Sequence, residues 1–172
     1  MANELYTRTN QKIYFAGLSL ESWRKAEEGR AVNAQALIQA EREVALFHLY
    51  GALLGLCHEI AGYYHLAERQ VPRVELLLNR AVLEVAPSPE LAELVELAEQ
   101  SETWLAQLLK AYAELFQPPL MAKKAKADPR QPLIEAVSLD QEVLPLERAT
   151  LEAWRQQLKG LALRFRESLS EC

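Results

Sequence analysis

From Val44 to Leu66 the chain reads VALFHLYGALLGLCHEIAGYYHL. A bilayer is spanned by about 20 apolar residues, so this stretch is long enough. However, His48, His58, Glu59 and His65 lie within it, and each is costly in lipid. The stretch therefore reads as the buried helix of a soluble protein. With Asn33 as its N-cap, this helix is predicted over about 33–70, ended by Pro72. Gly51, Gly55 and Gly62 interrupt it, each at roughly 1 kcal/mol relative to Ala. In a soluble bundle the pair Gly51 and Gly55 predicts close packing, with Trp23, Trp104 or Trp154 laid against it. A self-association face is the second reading.

The histidines do not form a metal site by spacing. His58 and His65 are seven residues apart, which separates their Cα atoms by roughly 10.5 Å along a helix axis. One metal needs nitrogens about 2 Å away, which favours spacings of three or four. Ala45, Gly55 and Gly62 stand three residues before the histidines, so Glu-x-x-His is absent. Gly62 also occupies the place of the second His in H-E-x-x-H. No metal and no cofactor is expected.

Outward from this helix, the chain keeps helical periods. Tyr6, Ile13, Ala16, Leu20 and Trp23 mark a first helix over about 4–28, with Gly29 as its stop. Val74, Leu77, Leu78, Ala81, Val82 and Val85 predict a short helix over about 72–85. Ser88-Pro89-Glu90 has N-cap, N1 and acidic first-turn chemistry, and predicts a helix over about 89–116 with two adjacent apolar seams. Leu151, Trp154, Leu158, Leu161, Phe165 and Leu169 define a last helix over about 145–169. Between these two lies a loop over 117–144, broken by Pro118, Pro119, Pro129 and Pro132 and carrying Lys123, Lys124 and Lys126. The fold class is thus an all-α, single-domain bundle, with four long helices, one short helix and a long Pro/Lys loop before the last.

Composition agrees. Half of the 172 residues are hydrophobic, a quarter are charged, and the net charge is −5. An acidic chain is a poor global partner for nucleic acid, because phosphate neutralisation drives that binding. The polar N-terminus has no secretory h-region, and two cysteines, Cys57 and Cys172, make no disulfide framework. A cytoplasmic location is expected. Lys123, Lys124 and Lys126 offer a weak partner-binding cluster without an aromatic for base stacking. Asn10, near the apolar seam of the first helix, is a second weak candidate.

The opening, Asn3-Glu-Leu-Tyr-Thr-Arg-Thr-Asn-Gln-Lys-Ile-Tyr-Phe-Ala16, resembles a family of small all-helical proteins of unknown function from pseudomonads. That resemblance implies a bacterial protein and carries over no functional residue. Arg42-Glu-Val-Ala-Leu-Phe-His48 resembles the R-x(4–6)-H signature of HEPN-type helical ribonucleases, which implies metal-independent RNA cleavage at a dimer interface by Arg42 and His48. Residues six apart lie about 120° away from each other on an ideal helix, and Glu43 follows the arginine where that family has Asn, Asp or His. The favoured function is a non-catalytic protein-interaction module with a protein partner, no membrane role and a homodimer left open. The alternatives are the ribonuclease and a small-ligand binder with a cavity at Asn10, Tyr14, His58 or Trp104.

Overall fold

The computed structural model describes residues 2–67, 69–118 and 145–170. Among them are six α-helices, a single 3₁₀ turn and no strand. The helices are α1 (Ala2–Glu28), α2 (Ala34–Tyr63), α3 (Arg80–Val85), α4 (Pro89–Glu99), α5 (Trp104–Glu114) and α6 (Arg148–Ser170). The chain is an all-α bundle. The segment expected as a Pro/Lys loop, with Lys123, Lys124 and Lys126, lies outside the described residues apart from Gln117 and Pro118.

The α2 helix is the axis of the bundle. By length and composition it could cross a membrane, yet 67 % of its most apolar window is buried inside the protein. Along α1, Ile13, Ala16, Leu20 and Trp23 are buried at helical spacing, and α1 runs antiparallel to α2. Thr9 faces Gly55, Lys12 faces Gly51, and Ser22 donates to Glu41 at 2.7 Å. In turn α6 runs antiparallel to α1, with contacts from Arg148 to Glu27, Arg155 to Gly17 and Arg166 to Asn10. The expected seam of α6 is buried throughout.

The core has two clusters. One joins Ala16, Leu20 and Trp23 to Leu46 and Leu49, near the middle of α2, and to Trp154. The other joins the second half of α2 to Leu91, Leu94, Leu105, Leu158 and Phe165. Each large apolar side chain removed from water contributes about 1.5–3 kcal/mol, so the fold rests on this apolar interior.

The glycines of α2 serve a different neighbour from the one expected. A Cβ on Gly55 would lie 2.6 Å from Thr9 Oγ1 and 3.3 Å from its Cα; one on Gly51 would lie 3.2 Å from the Lys12 stem. Gly55 admits the backbone of α1 at Thr9 and Gly51 admits the Lys12 stem, in place of a tryptophan, and that face is covered within the chain.

Three expected helices differ from the structure. The helix predicted over 33–70 ends at Tyr63. Its stop is a Schellman turn, with Leu66 N–H on Ala61 O at 2.9 Å, His65 N–H on Gly62 O at 3.3 Å, and His65 at φ 53°. No glycine marks the place; His65 takes the left-handed position instead. Asn33 occupies the N-cap, but its side chain makes no capping bond. The helix predicted over 72–85 divides into a 3₁₀ turn (Val74–Leu76) and α3, because Asn79 caps α3 by accepting Val82 N–H at 3.0 Å. The helix predicted over 89–116 divides into α4 and α5. Thr103 accepts Ala106 N–H at 3.2 Å and donates to the Leu97 and Gln100 carbonyls. The two apolar seams of that segment belong to two helices. Ser88 caps α4 as predicted, accepting Leu91 N–H at 3.1 Å.

Candidate interaction site

Where α6 lies along α1, a polar knot fixes the two helices to α2. Glu59 is 4 % exposed. Arg166 reaches it with two bonds of 2.8 Å, donates a third at 3.0 Å to Asn10 Oδ1, and sits 4.8 Å from the Tyr6 ring centre. A buried carboxylate must be paired to remain in the interior, and the bidentate fork matches its geometry. The Glu59 bonds come first among the causes that raise the Arg166 pKa. Asn10 was expected near the apolar seam. It is exposed, and it ties α1 to α6.

Below this knot the same two helices leave a trough of about 360 Å³. Asn10 and Tyr14 form one wall, Lys159 and Leu163 the other, and Ile13 and Ala162 the floor. Tyr14 is 62 % exposed, Leu163 51 % and Leu18, one turn beyond Tyr14, 50 %. These are large apolar side chains on neighbouring ridges, left unburied. No carboxylate lines the trough. Its basic groups are Arg155, tied to Glu152 at 2.8 Å, Arg166, and Lys159, for which no ion pair is found among the described residues.

The other expected residues are engaged elsewhere. Arg42 donates to Leu146 O at 3.2 Å and stacks 5.0 Å from the Trp23 ring centre, where it holds the approach to α6. His48 lies between the Phe15 and Phe47 rings, at 5.3 and 5.4 Å. Burial, then the charges of Lys12 and Arg8, push its pKa down. Arg42 and His48 therefore meet different neighbours. The ring of His58 is 2.8 Å from Val71 O, and His65 closes α2. Trp104 joins both core clusters. Among the described residues no cluster of three or more His, Cys, Asp or Glu side chains could hold a metal ion. Burial pushes the Cys57 thiol up to about 12, which removes its nucleophilic form at neutral pH.

Besides Glu59, Glu90 is a second buried carboxylate, and it too is held in a network. Glu90 accepts from Tyr64 and from Ser168, each at 2.8 Å. Burial alone would raise its pKa, but these bonds and a backbone N–H outweigh it and the pKa falls. The partners lie far along the chain, so only the placement of Glu90 in the first turn of α4 was legible.

Fold and site together define a helical bundle whose surface carries a trough with apolar walls and a lysine at its edge. The chain belongs to DUF6586, a family of unknown function, whose model matches residues 1–172. No match was found among curated proteins or among solved structures.

Proposed function

We propose that the protein is a non-catalytic interaction module of the cytoplasm, and that the α1–α6 trough receives an amphipathic helix with acidic flanks from a partner protein. The observation that carries this reading is the trough itself. Two helical ridges present Tyr14, Leu18 and Leu163 to water above an apolar floor, which suits helix-in-groove recognition. The charge of the occupant follows from the lining. In a chain of net charge −5, the arginines of the trough are already paired with Glu152 and Glu59, and Lys159 on its wall is the cation left to meet an acidic flank. Cys57 is a free, buried thiol, which suits a reducing compartment.

The test places a photo-crosslinking residue at Tyr14 in the native host and identifies the attached peptides by mass spectrometry. The expected product is an acidic amphipathic helix of another protein, lost in Lys159→Glu while the circular-dichroism spectrum is unchanged. Crosslinks to the protein's own chain, with a dimer in sedimentation, would make the occupant a second copy. Crosslinks that survive both Lys159→Glu and Leu163→Asp would remove the trough as the binding surface.

A further inference from the structure

On another side of α1, separate from the trough, lies a half-open recess of about 260 Å³. Arg8 and Lys12 line it from α1; Phe47, Gly51 and His58 from α2; Tyr112 from α5. Its size lies just below that of drug-sized ligand pockets, about 300–1,000 Å³, and suits a small molecule.

The charges within it are unusual. Lys12 is only 9 % exposed. Its stem rests on the bare backbone of Gly51, and its ammonium stands 4.8 Å from the Phe47 ring centre. No ion pair to Lys12 or Arg8 is found among the described residues; Arg8 bonds only the neutral Gln11 side chain, at 2.9 Å. Burial and then the Arg8 charge lower the Lys12 pKa, and no carboxylate among the described residues is a cause acting on it. Behind Phe47, His48 Nδ1 is buried and has no hydrogen-bond partner. The nearby carboxylate is Glu75, held by Tyr50 Oη at 2.9 Å. Its charge is felt at Tyr50, Tyr112 and Cys57 but is not among the causes acting on Lys12.

Aromatic surface completes the recess. Tyr50 and Tyr112 stack with ring centres 3.8 Å apart and planes 8° from parallel. Phe47 stands on the same lining, half-exposed, and meets the His48 ring at 5.4 Å with the planes 70° apart. An apolar body has aromatic surface of Phe47 and Tyr112 on the lining to lie against, and a negative group has Lys12 and Arg8 beside it. We propose that this recess binds a small organic anion, a carboxylate or phosphate borne on a flat apolar ring. Lys12 and Arg8 take the charge, and Phe47 and Tyr112 take the ring. The site is independent of the α1–α6 trough and stands or falls without it.

The mechanism is relief of an uncompensated charge. The Lys12 stem is buried while its ammonium lines the recess beside Arg8, and an anion there supplies both cations with a partner by charge-assisted hydrogen bonds. Binding the folded state alone then raises thermal stability with ligand concentration. It also eases protonation of His48, because the added negative charge offsets Lys12 and Arg8.

The experiment titrates the full-length protein with 2-naphthoate, 2-naphthyl phosphate and the neutral 2-naphthamide, by calorimetry and by NMR shifts at Arg8, Lys12, Phe47 and His48. Either anion binding while the amide does not supports the proposal, and the tighter of the two identifies the natural headgroup. Lys12→Met, which keeps the stem on Gly51, should weaken the anion about tenfold or more, the scale of one lost charge-assisted bond. Arg8→Gln is exposed and should fold normally, with a loss in the same direction. The His48 titration should move to higher pH when the anion is bound. Equal binding of amide and anion would overturn the proposal. So would anion binding unchanged by both Lys12→Met and Arg8→Gln, binding of inorganic phosphate as tight as the naphthyl ester, or no binding by any probe.

Discussion

Gly55 and Gly160 are both helical, and their surroundings are opposite. At Gly55 a methyl group would meet Thr9 Oγ1 and the α1 backbone; at Gly160 nothing lies within 4 Å. Gly55→Ala should therefore destabilise the fold by about 1–3 kcal/mol through overpacking. Gly160→Ala should stabilise it by up to about 1 kcal/mol, the helix-propensity difference. Urea denaturation midpoints that move the same way in both variants would contradict the close approach of α1. The same scale holds Glu59. Glu59→Ala leaves the Arg166 guanidinium largely buried without its carboxylate, and should cost about 3–5 kcal/mol. The double variant Glu59→Met with Arg166→Leu should recover much of that loss, since no charge is stranded. A double variant as unstable as the single one would mean that the pair is not the source of the effect. In the sequence, Gly55 was legible as a close-packing position, but its neighbour was not. Periodicity gives the face of a helix, and it does not say that a threonine on α1, and not a tryptophan, fills it.

The helices themselves divide by the kind of signal that bounds them. Ser88-Pro89 announces the start of α4 in local chemistry, and the α6 seam repeats without interruption; both were readable. The turns at Asn79, Thr103 and His65 were not, because apolar spacing continues across each of them while the backbone changes direction. Asn79 and Thr103 carry N-cap side chains inside runs that also fit one helix, and the choice is made by packing of Val74, Leu77 and Leu105 into the core. His65 stands where glycine usually does. A β-branched residue tolerates that backbone poorly, so His65→Val should lower stability by about 1–2 kcal/mol. His65→Gly should hold or raise the thermal midpoint. A valine variant as stable as wild type would show that the turn re-forms without the left-handed residue. The site followed the same divide. Asn10 was marked by its polarity on an apolar face, but the trough beside it needs α6, which lies more than a hundred residues away. The lysines at 123, 124 and 126 lie outside the described residues.

At the scale of the whole molecule, several carboxylates have depressed pKa values, and they differ in what depresses them. Glu21, lowered to about 2, is held down first by its bond to Arg24, and the pair lies on the surface. Exposed ion pairs are screened by salt and contribute little. Glu90 is different. It is 7 % exposed, and the groups that lower its pKa are the hydroxyls of Ser168 and Tyr64 and a backbone N–H, acting against burial. It joins α4 to the end of α6 and to the end of α2. Its folded pKa lies below the ordinary value of 4.5, so the unfolded chain takes up the proton first. The stability it contributes is fully present above about pH 4.5, and it is lost as the pH falls through the folded value. His48 acts in the same direction at higher pH: its folded pKa lies below 6.5, so stability declines as the pH falls from there through the folded value. In about 0.5 M salt the surface pairs are largely screened, while neutral hydrogen-bond donors to a buried carboxylate are not. Unfolding free energies measured by urea at that salt should still fall with pH below about 4.5 in the wild type. In Glu90→Gln the free energy should be lower at neutral pH, because the buried acceptor has lost its charge-assisted bonds, and its decline over the acid range should be shallower. The two curves should therefore converge toward low pH. Parallel curves would mean that the Tyr64–Glu90–Ser168 network does not set the acid limit of this fold.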